Sequence, residues 1–376
     1  VLWVPFEARP TPGTRRFVSK SVIGDSVLFE EERPDLGLRF RYRWSTSADH
    51  GFVRTSTVQN MSGAIARVAA LDGLVGLLPY GLEPTLYQRL INLANDYRRS
   101  DLVDPQGRLA VYSLETPVSD RPEPEEVLRA TVVWSSGLDG PIGLDERALD
   151  RFEAGDDAAS TLVTGRPGAY LVRGDVVIEP GASASWQIIA DVAYAQSDVV
   201  ALRDELRANE AANAVSDETR RTGQRLAEIM TMADASQVTG DPLSCAHHFA
   251  NVTYNVMRGG VPLDGYRIEL DDLVDFIVVH NREVMTRHAG FLASLPERIE
   301  RRDLLTRVTS IVAKTGDVHL ARLVEEYLPF SFSRRHGDPS RPWNQFSIRV
   351  VDDAGAPVVY YEGNWRDLFQ NWDALW

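Results

Sequence analysis

The sequence contains a single cysteine, Cys245, among its 376 residues, so it can form no intrachain disulfide. A lone cysteine fits a reducing compartment. Lysine is almost as scarce, because only Lys20 and Lys314 occur among 40 basic residues. No apolar run approaches the roughly 18 residues that a membrane helix needs, and the first residues lack the pattern of a signal peptide. These absences predict a cytoplasmic protein with no membrane span.

The formal net charge is −14, which argues against a nucleic-acid or anionic-membrane surface, since both need basic patches. Hydrophobic residues make up 44% and charged residues 25%, as in ordinary globular proteins. The length predicts two or three domains. No nucleic acid and no membrane are therefore expected among the partners.

The first half of the chain predicts β-structure over residues 1–195. The segment from Gly37 to Trp44 alternates strictly, with period two. One face carries Leu38, Phe40, Tyr42 and Trp44, and the other carries Arg39, Arg41 and Arg43. Further strands are predicted at Phe52–Gln59, Ala64–Leu71, Leu109–Leu114, Val127–Trp134, Ala169–Arg173, Val176–Ile178 and Ser183–Val192. Many strands with short polar connections indicate an antiparallel sandwich, interrupted by a helical excursion over Glu83–Arg99.

Residues 196–330 are predicted to form a helical linker region. A helix begins near Ser197, and another spans Ser216–Met232. The stretch Ala233–Tyr266 is predicted to be largely irregular. Three more helices are predicted, at Asp271–Arg287, Pro296–Lys314 and Asp317–Tyr327.

Residues 331–376 change character again. Strands are predicted at Phe346–Val351 and Val358–Tyr361, followed by an aromatic helix after Gly363. That helical pattern ends on Trp376 with an apolar face that needs a partner. The pattern predicts that the natural protein continues beyond this residue.

The loop from Phe332 to Phe346 is the first candidate site. Prolines and a glycine restrict it, which pre-organises its side chains. Its polar and aromatic groups are Arg334, Arg335, His336, Asp338, Arg341, Trp343 and Asn344. Arginine forks can bind neighbouring sugar hydroxyls, and an indole can pack on a pyranose ring. The alternative is a surface loop held by local Arg–Asp pairs, with Trp343 as a core plug.

Two helical segments supply the other candidates. In the final helix, Arg366 and Gln370 share a polar face flanked by Asp367, while Trp365 lies on an aromatic face. The alternative there is an amphipathic helix with solvated charges. Within His247–Gly260, a short helix ending at Gly259 places Asn255 and Arg258 on one polar face, or forms a buried polar connector. His247 and His248 lack the spacing of a zinc site, so no metal is expected.

The segment Arg366-Asp367-Leu368-Phe369-Gln370-Asn371 resembles a motif of inverting glycoside phosphorylases of the cellobiose phosphorylase type. In the phosphorylase motif an aspartate stands where this sequence has Asn371. The sequence is also similar to the wider group of glucoamylase-like and debranching (α/α)₆-barrel enzymes. The resemblance implies a multi-domain α+β fold with an N-terminal antiparallel β-sandwich (super-sandwich), a helical linker and the start of an (α/α)₆ barrel.

The same resemblance implies a function. The chain would bind an oligosaccharide with Arg341, Trp343, Asn344, Trp365, Arg366, Asp367 and Gln370, while the general acid lies downstream. No cofactor is implied, although inorganic phosphate can serve as co-substrate. The implied partners are the oligosaccharide, the rest of the barrel on the same or a second chain, and a second copy in a homodimer.

A second interpretation stays open from the residues themselves. The sandwich can be a non-catalytic module that binds glycan or mediates dimerisation. As a glycan-binding module it would use exposed aromatic residues such as Trp44 or Trp134.

Overall fold

The computed structural model describes residues 1–82, 84–117, 127–156, 159–233, 235–259, 261–262, 266–327, 329–331, 333–335 and 346–348. The chain divides into two compact units, Val1–Gln224 and Arg225–Trp376. Within the described residues, no helix is both long and apolar enough to cross a membrane.

The first unit is built on a large antiparallel sheet of nine strands. In spatial order they are β1 (Arg15–Lys20), β2 (Val27–Arg33), β3 (Leu38–Ser47), β4 (Gly51–Asn60), β12 (Ser183–Ala195), β8 (Arg129–Ser136), β7 (Leu109–Leu114), β6 (Arg98–Asp104) and β10 (Leu162–Thr164). A second sheet contains β5 (Ala66–Leu77), β11 (Gly168–Ile178) and β9 (Ile142–Gly143), in that order. Short helices α1 (Pro84–Arg89), α2 (Ile91–Asp96) and α3 (Arg147–Ala154) lie in the connections.

Both faces of the large sheet are covered, which its sequence pattern explains. Alternate residues of β12 point to opposite sides, so Ile188 packs between the two sheets while Ile189 packs on the other face. There Leu202 and Leu206 of α4 (Gln196–Arg207) and Val215 of α5 (Glu210–Met232) complete a second core. The central strands are therefore apolar on both sides.

The second unit contains a helical module with its own core. Helices α7 (Leu270–His280), α8 (Arg282–Leu292), α9 (Arg301–Thr315) and α10 (Val318–Glu326) pack around buried aliphatic residues. Strands β14 (Arg267–Glu269) and β15 (Arg298–Glu300) pair antiparallel beside them. The unit also contains α6 (Pro242–Gly259) and two small strand pairs, β13 (Val261–Pro262) with β16 (Phe330–Ser331) and β17 (Ser333–Arg335) with β18 (Phe346–Ile348).

The predicted α+β fold class, with its antiparallel sheets followed by helices, is confirmed. The predicted strand at Val358–Tyr361 and the terminal helix lie outside the described residues, and with them most of the predicted barrel start.

Several predicted element boundaries were wrong. The excursion predicted over Glu83–Arg99 contains two short helices, and its last residues, Arg98 and Arg99, already belong to strand β6. The two strands predicted around Gly174 are one strand, β11. The stretch predicted to be largely irregular holds α6, which begins much earlier than the short helix expected there. Pro242 opens this helix, and the Asp241 carboxylate accepts hydrogen bonds from the Leu243 and Ser244 amides, so the helix start has a capping residue.

Candidate functional site

Most of the sequence-predicted site residues lie outside the described residues. These are His336, Asp338, Arg341, Trp343, Asn344, Trp365, Arg366, Asp367 and Gln370. Arg334 and Arg335 lie on β17, where they pair with Ser347 and Phe346 of β18. Asn255 and Arg258 lie near the C-terminal end of α6. Their roles in sugar binding stay predictions.

A cleft of about 1050 Å³ lies between the two sheets of the first unit. Its walls are the aromatic face of β3, the neighbouring part of β4, strand β5, the first residues of the chain and the end of α3. This volume suits a small-molecule or oligosaccharide ligand, and the mixture of aromatic walls with a few polar groups is typical of ligand sites.

The aromatic wall of the cleft follows from strand register. Trp44 lies opposite Arg54 on the neighbouring strand, and Tyr42 lies opposite Ser56. Directly opposed residues project to the same face of an antiparallel sheet, so all four side chains point between the sheets. The Phe29 ring stacks on Tyr42 with centroids 4.8 Å apart, and the Arg54 guanidinium lies 4.6 Å from the centroid of the Tyr42 ring. Burial raises the pKa of Tyr42, so its phenol stays protonated at neutral pH.

Trp44 differs from its aromatic neighbours. Its side chain is only partly buried, and it lines the cleft. Its indole makes no hydrogen bond and no ring contact with any residue in the described part of the chain. Among the described residues that line the cleft, Trp44 is therefore the aromatic side chain without a hydrogen bond, a ring contact or a cation–π contact.

A buried carboxylate, Asp72 of β5, organises the polar floor of the cleft. It accepts hydrogen bonds from the Ser56 hydroxyl at 2.6 Å and the Trp186 indole at 2.7 Å. It also accepts a hydrogen bond from the Gly73 amide at 2.9 Å and forms a salt bridge with Arg54 at 2.8 Å. Both carboxylate oxygens are occupied by donors, so Asp72 is a structural acceptor and has no free lone pair for acid–base chemistry.

Arg54 is held from two sides but retains an unused donor. One guanidinium nitrogen pairs with Asp72, and another donates to the Gly73 carbonyl at 2.6 Å. Its Nε is buried and has no acceptor among the described residues. The charged side chains of the cleft are Arg54, Arg67, Asp72 and Glu153, so their charges cancel. This arrangement suits binding of a neutral polar ligand.

A second, acidic pocket of about 650 Å³ lies on the opposite side of the large sheet. His50, which is 7% exposed, approaches Glu218 of α5 to 3.4 Å, and the Ser47 hydroxyl donates to the same carboxylate at 3.2 Å. Across the described ranges, no group of three or more His, Cys, Asp or Glu side chains is placed to hold a metal ion.

The sequence pattern predicted the residues of one wall of the cleft but not those of the other. Period-two alternation predicted the face that carries Tyr42 and Trp44. It does not single out Arg54, because β4 shows no strict alternation of apolar and charged residues. Asp72 could not be placed, since it comes from a different sheet. The prediction that Trp134 is an exposed aromatic residue was wrong. Its side chain is 1% exposed and packs in the core beneath α4 and α5.

Comparison with known proteins identifies the helical module. Residues 264–329 match the family model described as glycoside hydrolase family 149 insertion domain 1. This range coincides with the module formed by β14, β15 and α7 to α10. The comparison with curated proteins finds no match.

Solved structures with weak similarity include three proteins. A bacterial glucoamylase complexed with acarbose has 10% identity and a TM-score of 0.37, covering 77% of this chain and 44% of that one. A protein described as a kojibiose phosphorylase from the human microbiome has 6% identity and a TM-score of 0.33, covering 67% and 32%. The Slr1438 protein of Synechocystis sp. PCC 6803 has 9% identity and a TM-score of 0.26, covering 47% and 65%.

The chain thus spans less than two thirds of the length of each of these three structures. The family match of residues 264–329 falls on a module with its own core. For these residues it confirms the predicted resemblance to carbohydrate-active enzymes.

Proposed function

We propose that this chain is the N-terminal part of a glycoside phosphorylase or glycoside hydrolase that cleaves oligosaccharides with inversion at the anomeric carbon. The observation that carries the proposal is the match of residues 264–329 to an insertion domain of a glycoside hydrolase family. That module folds around its own core of aliphatic side chains, as an inserted domain requires.

Inversion needs two functional groups on opposite faces of the sugar. A carboxylic acid protonates the leaving oxygen, while a nucleophile attacks the anomeric carbon from the other side. In a hydrolase the nucleophile is a water activated by a carboxylate base, and in a phosphorylase it is inorganic phosphate. We place the general acid in the remainder of the (α/α)₆ barrel, which continues on the same chain or is supplied by a second one.

In this proposal the chain supplies part of the sugar subsite. The residues concerned are Arg341, Trp343, Asn344, Trp365, Arg366, Asp367 and Gln370. Arg366 and Asp367 would hold sugar hydroxyls through charge-assisted hydrogen bonds, and Trp365 would pack on the apolar face of a pyranose ring. Such contacts orient the substrate and leave bond cleavage to the acid and the nucleophile.

The test uses the whole natural protein that contains this sequence. A panel of neutral oligosaccharides is incubated with and without inorganic phosphate, and products are followed by proton NMR at early times. A phosphorylase releases a sugar 1-phosphate of inverted anomeric configuration only when phosphate is present, whereas a hydrolase releases the inverted free sugar in either case. Cleavage with retention, or no cleavage of any oligosaccharide, would overturn the proposal.

The subsite assignment has its own control. Arg366→Ala should raise KM strongly, because it removes a substrate contact. Arg307→Ala, an exposed arginine of α9, should leave KM within about twofold of the wild-type value. We also expect the isolated 376 residues to show no turnover, and measurable turnover by this chain alone would contradict the placement of the general acid.

A further inference from the structure

We propose that the cleft between the two sheets is a glycan-binding site for a neutral oligosaccharide, with one pyranose ring packed against the indole of Trp44. This site goes beyond the proposed catalytic function. It is built only from residues of the first unit, whereas the proposed sugar subsite lies in residues 341–370. The cleft would hold a glycan without cleaving it, because its central carboxylate is already saturated by donors.

Trp44 supplies the stacking surface. A pyranose ring has an apolar face of C–H groups, which an aromatic ring covers while the hydroxyls at the ring edge stay available for hydrogen bonds. The Tyr42 ring is already covered by Phe29 and Arg54, so it serves as support. Trp44 is partly buried, lines the cleft and contacts no other ring in the described residues, so the exposed part of its indole is the surface on which a sugar ring would pack.

Arg54 supplies a hydrogen-bond donor beside that surface. Its position is fixed by Asp72 and the Gly73 carbonyl, so its orientation costs little on binding. Its Nε has no acceptor in the described part of the chain, and an unpaired buried donor is unfavourable. A sugar hydroxyl oxygen is the acceptor that this group lacks. Because Nε is covered, a neighbouring side chain must move for this contact to form while Arg54 stays in place, a change of the ordinary kind seen when ligands bind.

The charge of the cleft selects the ligand class. Among the side chains that line the cleft, Arg54 and Arg67 are balanced by Asp72 and Glu153, so these side chains supply no net charge to attract a phosphate or carboxylate. A volume of about 1050 Å³ accommodates several sugar rings. The choice of a glycan over other neutral amphipathic ligands rests on the proposed function, because the family match on residues 264–329 indicates an enzyme of carbohydrate metabolism.

The experiment uses the full 376-residue chain. A glycan array with neutral and anionic oligosaccharides identifies the probe, and isothermal titration calorimetry with the best neutral one gives Kd. Trp44→Ala should weaken binding at least about tenfold, and Trp44→Phe should retain part of the affinity because a smaller aromatic face remains. Phe52→Ala is the matched control, since Phe52 lies on the adjacent strand, is 61% exposed and does not line the cleft.

Thermal unfolding shows whether each variant is folded. If Trp44→Ala does not fold, Trp44→Phe still tests the proposal. The proposal fails if no neutral glycan binds, if anionic glycans bind better, or if both Trp44 variants bind like wild type. It fails equally if Phe52→Ala weakens binding as much as the Trp44 variants do. The catalytic proposal is decided separately by turnover of the whole protein, so loss of either activity leaves the other interpretable.

Discussion

Trp186 donates its indole N–H to the Asp72 carboxylate across the two sheets, with 2.7 Å between Nε1 and Oδ2. Trp186 lies on β12 in the large sheet, and Asp72 lies on β5 in the small one. Asp72 also forms a salt bridge with Arg54 and accepts a hydrogen bond from Ser56, both on β4. One carboxylate therefore connects β4, β5 and β12. This buried polar network fixes the floor of the cleft and the spacing between the sheets in a way that apolar contacts alone would not.

We expect Asp72→Asn to destabilise the first unit by about 2–3 kcal/mol, because buried donors lose a charged acceptor. The measurement is urea-induced unfolding followed by near-UV circular dichroism. Asp175→Asn is the control, since Asp175 lies on β11 of the same sheet but is exposed, and its effect should stay within about 0.5 kcal/mol. Equal unfolding midpoints for the two variants would contradict a structural role for Asp72.

The Trp186–Asp72 hydrogen bond can be isolated by a double-mutant cycle. Trp186→Phe keeps a large ring but removes the donor, so we expect a loss of about 1.5–3 kcal/mol from a hydrogen bond to a charged group. In the background of Asp72→Asn the same change should cost less, giving a coupling energy of about 1 kcal/mol or more. Strictly additive effects in urea unfolding would mean that the two side chains stabilise the protein independently.

Strands β5 and β11 of the small sheet approach so closely at Gly73 that no side chain fits there. A Cβ atom at this position would lie 1.9 Å from the Tyr170 carbonyl oxygen, which belongs to the paired strand β11. We expect Gly73→Ala to cost about 3 kcal/mol, because the backbone must move to relieve the overlap.

Gly63→Ala provides the matched control for that substitution. Gly63 lies in an exposed turn where an added Cβ would meet no atom within 4 Å, so the unfolding free energy should change by less than about 0.5 kcal/mol. If Gly73→Ala unfolded at the same temperature and urea concentration as Gly63→Ala, the close strand approach would not exist in solution.

The sequence predicted the pieces of the cleft better than their arrangement. The alternation in β3 was enough to assign a buried aromatic face, because the side-chain period of a strand is two. The pairing of Trp186 with Asp72, 114 positions apart, depends on the order of strands in two sheets. That order is set by packing of the whole unit and cannot be read from local pattern.

The helical module illustrates the same limit. The pattern around residues 271–287 predicts one helix, because its apolar spacing is continuous. In the structure α7 ends at His280 and α8 begins at Arg282. The Asn281 side chain between them accepts hydrogen bonds from the amides of Glu283 and Val284 and so caps α8. Asparagine is a strong N-cap, and this signal within the segment could have divided the predicted helix.

A second cap in that module links its stability to pH. Asp317 accepts a hydrogen bond from His288 at 2.9 Å and from the His319 amide at 3.0 Å, and it pairs with Arg287 at 3.1 Å. The hydrogen bond from His288, then the His319 amide and the Arg287 charge, hold the pKa of Asp317 below its usual value. A carboxylate with a lowered pKa stabilises the fold above the unfolded-state pKa, and this stabilisation is lost as the pH falls through the lower folded-state value.

We therefore expect the helical module to lose stability below about pH 4, the ordinary range of an aspartate. Asp317→Asn should lower stability at pH 7 and flatten the fall between pH 4 and pH 2, because the titrating group is gone. Asp275→Asn, an exposed position of α7, should keep the wild-type dependence on pH. Urea unfolding followed by far-UV circular dichroism at several pH values measures both. If wild type and Asp317→Asn gave parallel curves, the acid sensitivity of the module would have to come from other carboxylates.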